Sequence, residues 1–202
     1  MKGLDLLLLA CCVCCLSTLG GALDEEKSLM VKLFTNYNLK VRPALSPENR
    51  VVVRVGMVLS SLVGLNMKRE EMSTVVVMNL EWMDYRLRWN PKEHDGINVM
   101  RIPAVKVWLP DMVLFNNNDG VFDVALHVHV QAYFNGRVTW TPPALFCSSC
   151  GVKVKYFPFD WQNCTMQFRS YTYDFHRNRR AVCAGLKRDG DQGDPTGRGL
   201  HW

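Results

Sequence analysis

Several side chains in this sequence have types and spacings that could do chemistry. Cys147-Ser148-Ser149-Cys150 has the C-x-x-C spacing of a dithiol redox pair or of half a zinc site. His127 and His129 stand two residues apart and would share one face of a strand, where they could hold a metal. Asp189, Asp191 and Asp194 lie among glycines. A thiol and a histidine together are the raw material of a nucleophile and its base. Each set lacks something. A redox pair belongs at a helix N-terminus, where the dipole lowers the thiol pKa. Here Pro142-Pro143 precedes the pair and the alternating Val152-Lys153-Val154-Lys155-Tyr156 follows, a strand and loop context. Two histidines give two ligands, with no third in view. The aspartates fit no calcium-loop spacing, and nothing orients a base toward a cysteine. No catalytic residue, metal or cofactor is expected, and the chain does not read as an enzyme.

The N-terminus reads as a secretory signal over residues 1–22: Lys2, an apolar core from Leu6 to Leu16, then the small residues Gly20, Gly21 and Ala22. That core is too short to span a bilayer, which takes about 20 apolar residues, so cleavage after Gly20 or Ala22 is expected. No later stretch reaches spanning length, and the chain as written is expected to enter the secretory pathway without an anchor. Four of the eight cysteines would leave with the signal. Cys147, Cys150, Cys164 and Cys183 would remain in an oxidising compartment, with three pairings open to them. Asn163-Cys164-Thr165 is a glycosylation acceptor sequence, with Asn163 as the acceptor.

These residues must be held by elements that the hydrophobic periodicity outlines. Asp24 can cap a helix with Glu25 and Glu26 in its first turn and Leu29, Met30, Leu33, Phe34 and Tyr37 along one side. The period then changes to two. Val51, Val53, Val55, Met57 and Leu59 form one strand face, and Val76, Met78, Leu80 and Trp82 another. A short strand is predicted over Val105 to Leu109, a tight turn at Asn116 to Gly120, and a strand carrying Val124, Leu126, Val128 and Val130. Asn135-Gly136 is the two-residue turn that a hairpin favours, and Val152 to Tyr156 and Thr165 to Tyr173 alternate again. One helix followed by closely spaced short strands predicts an antiparallel β-sandwich, mostly β, with the helix in front.

The net charge of +5 arises from 24 Lys and Arg against 19 Asp and Glu. Most of the excess lies in residues 175–202, and the charges of the sandwich are interspersed with apolar residues, which argues against a nucleic-acid surface. The stretch 175–202 has five glycines and no periodicity, and is expected to be a disordered tail.

The most specific pattern is Cys150-Gly-Val-Lys-Val-Lys-Tyr-Phe-Pro-Phe-Asp-Trp-Gln-Asn-Cys164, two cysteines with thirteen residues between them, Phe157-Pro158-Phe159-Asp160 among these. It resembles the signature loop of the Cys-loop, or pentameric ligand-gated, ion-channel family. The neighbouring Asn36-Tyr37-Asn38, Arg42-Pro43, Trp82-Met83-Asp84-Tyr85-Arg86-Leu87, Trp89-Asn90-Pro91, Trp108-Leu109-Pro110-Asp111 and Asn117-Asn118-Asp119-Gly120 are similar to that family's extracellular domain. The resemblance covers roughly residues 24–174. Within the family the chain is most similar to nicotinic acetylcholine receptors, of the muscle-type, non-α, β-like class.

The resemblance implies a ligand-binding domain over 23–174, incomplete at its C-terminal strands, with an unrelated tail over 175–202. It therefore implies a truncated product without the membrane helices through which such a subunit meets the membrane. It implies a Cys150–Cys164 disulfide, with Cys147 and Cys183 unpaired or weakly paired. Phe157, Pro158, Phe159 and Asp160 would belong to a loop that couples agonist-induced movement to the membrane domain. Agonist recognition in the family uses an aromatic cage around a quaternary ammonium, built by two neighbouring subunits. An α subunit would have Tyr at Phe115, Trp at Tyr171 and a later pair of adjacent cysteines, while Trp82 matches the ring of the complementary face. Trp82, Phe115 and Tyr171 are thus the candidate agonist-facing residues of a structural or complementary subunit. Its expected partners are other receptor subunits in a hetero-pentamer, with acetylcholine at their interfaces, at the extracellular side of the postsynaptic membrane. Two other readings are carried: a soluble secreted acetylcholine-binding module, and a secreted thiol oxidoreductase using Cys147 and Cys150.

Overall fold

The structure is a computed structural model that describes residues 25–157 and 159–172, with the backbone pairing of two further segments, Val182–Cys183 and Leu200–His201. The expected signal, the Asp24 cap, Pro158 and the rest of the predicted tail lie outside the described residues.

Helix α1 covers residues 25–34. Leu29 is fully buried, and Met30, Leu33, Phe34 and then Tyr37 pack against the core, as the helical spacing predicts. Two long antiparallel strands follow: β1 (Arg54–Asn66) and β2 (Glu71–Arg88). On β2 every second residue from Met72 to Asp84 is buried, which is the period of a strand with one face in the core. A register irregularity between Met83 and Arg88 then shifts the phase, so that Leu87 rather than Arg86 turns inward.

The shorter strands are β3 (Val99–Ile102), β4 (Met112–Leu114), β5 (Val130–Tyr133), β6 (Asn135–Trp140), β7 (Pro143–Ser149), β8 (Thr165–Met166) and β9 (Phe168–Ser170). The large sheet runs β1-β2-β6-β5-β3, and β7 pairs with the first half of β2, where Val77 meets Pro143 and Glu71 meets Ser149. The two later segments, β10 (Val182–Cys183) and β11 (Leu200–His201), pair with β1 and β8. A smaller layer holds β4 against β9. The layers meet where Phe146 packs edge-on against Phe168 at 5.3 Å and the Thr74 hydroxyl donates to the Met166 sulfur. This is the mostly β, antiparallel sandwich with an N-terminal helix that the pattern predicts.

Three predicted strands are not strands. Val105 to Leu109 opens with a 3-10 turn, Ala104–Lys106, because Pro103 sets the backbone at its entry. Residues 124–129 are irregular, with Leu126 exposed, and only Val130 begins a strand. Residues 152–156 form open chain and a turn with no partner strand. The hairpin at Asn135-Gly136 also differs. Only Gly136 has positive φ, at 86°, and the register Ala132↔Val138 leaves a longer turn than two residues. A Cβ on Gly136 would lie 2.7 Å from the Asp84 carbonyl, so glycine is required by close approach as well as by φ.

A buried polar network ties the segment after α1 to β2. The Tyr37 hydroxyl donates to Asp84 Oδ2 (2.7 Å) and accepts from the Trp108 amide (2.9 Å). Arg86 donates to both Asp84 oxygens and to the carbonyls of Asn38 and Val41. Asp84 is fully buried, so these partners supply what water would. Burial alone would lower the Arg86 guanidinium, but its bonds and charge contact with Asp84 hold it above its ordinary value.

Candidate functional site

The sequence candidates Phe115 and Tyr171 are placed by the β4–β9 ladder, in which Met112 pairs with Ser170 and Leu114 with Phe168. Leu114 is buried beneath the ladder, so the alternation puts Phe115, Val113 and Asp111 on the outer face, opposite Gln167, Arg169 and Tyr171. Phe115 and Tyr171 are both exposed, at 52% and 81%. They stand at opposite ends of the ladder. The Phe115 amide bonds the Gln167 carbonyl and the Tyr171 amide bonds that of Asp111, a separation of four residues or roughly 13 Å along the strands. Asp111 fixes the Tyr171 end, accepting from the Ser170 hydroxyl and the Thr172 amide at 2.6 Å each.

Between the two rings lies Arg169, whose guanidinium sits over the Phe115 ring. The sequence reading missed this residue. The Leu114↔Phe168 register puts it beside Phe115, and a period-2 reading from Phe168 would have found it facing outward with Tyr171.

Trp82 does not face solvent. It is 2% exposed, on the inward phase of β2, with its ring edge-on to Trp108 at 6.0 Å. Its Nε1 has no hydrogen-bond partner among the described residues. The expectation of an agonist-facing Trp82 is therefore corrected: a ring enclosed by the core offers no face to a ligand.

Cys150 and Cys164 form a disulfide with Cα atoms 5.0 Å apart, and both are buried. Asn116 anchors its base. Its side-chain amide donates to the carbonyls of Ser149 (3.1 Å) and Thr165 (2.8 Å), and its Oδ1 accepts from the Gln167 amide, joining β7 to β8. Within the loop, Gln162 bonds both the amide and the carbonyl of Lys153, and Asp160 Oδ1 accepts from the Tyr156 amide at 2.6 Å. These bonds close the loop on itself and leave Tyr156, Phe157, Phe159 and Trp161 pointing outward, Phe159 at 91% exposure. Asn163, at the foot of the loop, is exposed.

Cys147 is a free thiol on β7, beside the Ser73 hydroxyl. The Ser73 hydrogen bond lowers its pKa, but burial and the carboxylates of Asp119 and Glu71 outweigh that and push the thiol up. With Cys150 bonded to Cys164, Cys147 has no dithiol partner at Cys150 for the oxidoreductase reading. His127 lies 3.4 Å from Asp123 and packs its ring beside Trp140, outside any strand.

Comparison with known proteins agrees with this arrangement. The family description "Neurotransmitter-gated ion-channel ligand binding domain" matches residues 26–180. The chain is 57% identical over 151 residues to the acetylcholine receptor subunit beta of Rattus norvegicus, covering 75% of this chain and 30% of that protein. It is 54% identical over 152 residues to the subunit beta of Xenopus laevis, covering 75% and 31%. It is 44% identical over 173 residues to the subunit gamma of Gallus gallus, covering 86% and 34%. The chain thus spans about a third of the length of these relatives. With the disulfide-closed loop, the helix-fronted sandwich and this match in hand, the chain belongs to the neurotransmitter-gated ion-channel ligand-binding domain family, that of the Cys-loop receptors rather than of any enzyme, and is similar there to muscle-type non-α acetylcholine receptor subunits.

Proposed function

We propose that this chain acts as the extracellular domain of an acetylcholine-gated channel subunit that occupies a structural position, not a principal agonist-binding one. The observation that carries this is the Arg169 guanidinium on the Phe115 ring. A quaternary ammonium needs unoccupied ring faces within about 6 Å of its charge. Here one ring already holds a cation, and the backbone of the other candidate is offset from it by roughly 13 Å along the ladder. Arg169 would also repel the ligand's charge. With Trp82 enclosed, none of the three candidate rings is both exposed and free to join another around one ammonium.

In this reading acetylcholine binds at interfaces whose principal face comes from other subunits, and this chain contributes to a hetero-pentamer at the extracellular face of a membrane. Among the described residues no helix is long and apolar enough to cross a membrane. The loop closed by Cys150 and Cys164, with Phe157, Pro158, Phe159 and Asp160, would press its exposed aromatic tip on the part of the receptor that opens. Asn163 would carry the glycan beside it.

Co-expression of the full chain with an acetylcholine receptor α subunit, followed by affinity capture from the culture, tests the assignment. Co-purification of the two in one assembly is expected. A chain that self-assembles into a soluble agonist-binding oligomer and ignores the α subunit would instead favour the secreted binding module.

A further inference from the structure

Beside α1 lies an apolar groove that the family reading leaves unused, lined in part by Met30, Phe34 and Tyr37, which also pack against the core. The helix sets Lys27, Met30, Val31 and Phe34 at i, i+3, i+4 and i+7, a single stripe. The facing wall is the 3-10 turn carrying Val105 and Lys106, and the groove between them has a volume of about 420 Å³. Two features mark it as unfinished. Val31 and Val105 are 65% and 71% exposed, although the opposite side of the same helix buries Leu29 completely. Lys27 and Lys106 have no ion-pair partner among the described residues, whereas Lys32, on the next turn, is engaged by His94 and Glu93.

We propose that this groove binds a single-chain anionic amphiphile of the fatty-carboxylate type. The occupant must bring alkyl surface for Met30, Val31, Phe34 and Val105 and one negative charge for the two lysines. The alkyl chain lies along the helix stripe, and its burial returns the stabilisation that exposed valines forgo. The headgroup meets Lys27 and Lys106, which as flexible ammonium groups converge on a compact carboxylate. The volume falls within the range of small-ligand sites. The inference is independent of whether the chain is a structural receptor subunit.

The test is methyl NMR of the full chain, following Met30, Val31 and Val105 during titration with sodium decanoate below its micellar concentration, with decanol and decylamine as controls. Saturable shifts with decanoate are expected, at least tenfold weaker affinity for decanol, and no saturation with the cationic decylamine. The exposed double substitution Lys27→Glu with Lys106→Glu should weaken decanoate at least tenfold and admit decylamine, with unchanged circular dichroism. Absence of saturation by decanoate, or equal response to all three probes, would overturn the proposal. So would shifts that depend on protein concentration alone, since these would give the groove to a second copy of the chain.

Discussion

Arg169 and Tyr37 show how a single neighbour sets what a side chain can do. Arg169 occupies the Phe115 ring, so an exposed aromatic residue in a plausible ligand position is spent within its own domain. Tyr37 is shaped by burial first and then by the adjacent Asp84 charge, which together raise its phenol well above the usual tyrosine value; the Trp108 amide opposes them. The folded state therefore holds the Tyr37 proton after the unfolded chain has released its own near pH 10. Since the native state binds more protons in that range, stability falls as pH rises above about 10. Urea unfolding between pH 8 and 11 should show this loss, and Tyr37→Phe should flatten that part of the profile while costing about 1 kcal/mol at neutral pH for the lost hydroxyl bonds. An unchanged alkaline slope in the variant would place the titrating group elsewhere.

At the level of elements, the disulfide loop and the strands differ in how they are held. Among its described residues the loop has no ladder of its own; its cysteines, the Gln162–Lys153 bonds and the Asn116 anchor fix it. Replacing Cys150 and Cys164 together by Ser should cost about 3 kcal/mol, the chain-entropy value for a loop of roughly 15 residues, read as a shift in the denaturant midpoint. Cys147→Ser, which breaks no covalent bond, should leave the midpoint within about 0.5 kcal/mol.

The same contrast explains which elements were legible in the sequence. β2, α1 and the first half of β1 each bury one face, so their periodicity is written into the residues. The alternation of Val152-Lys153-Val154-Lys155 carries the same pattern without a partner strand, and period alone cannot tell a paired strand from an open loop. β7 was hidden by Pro142-Pro143, because the missing amide of Pro143 is tolerated at the first position of a strand. Of the site, the Cys150–Cys164 loop was legible from its spacing and family likeness. Trp82 was misread for a physical reason: an aromatic residue on an alternating strand belongs to whichever face is buried, and the phase of Val76, Met78 and Leu80 already puts Trp82 inside. Arg169 went unnoticed because its meaning depends on the register of β9 against β4.

In the whole molecule a sandwich core closed by α1, β2 and the β4–β9 layer carries an outer face on which Phe115 is covered by Arg169. Leu114 and Met166 are completely buried, so the strands that display Phe115 and Tyr171 rest on a packed support. Isothermal titration of the purified full chain with acetylcholine tests this most directly. No saturable heat is expected from the unaltered chain, in which Arg169 covers the Phe115 ring. Saturable binding by the unaltered chain that disappears in Phe115→Ala would contradict it.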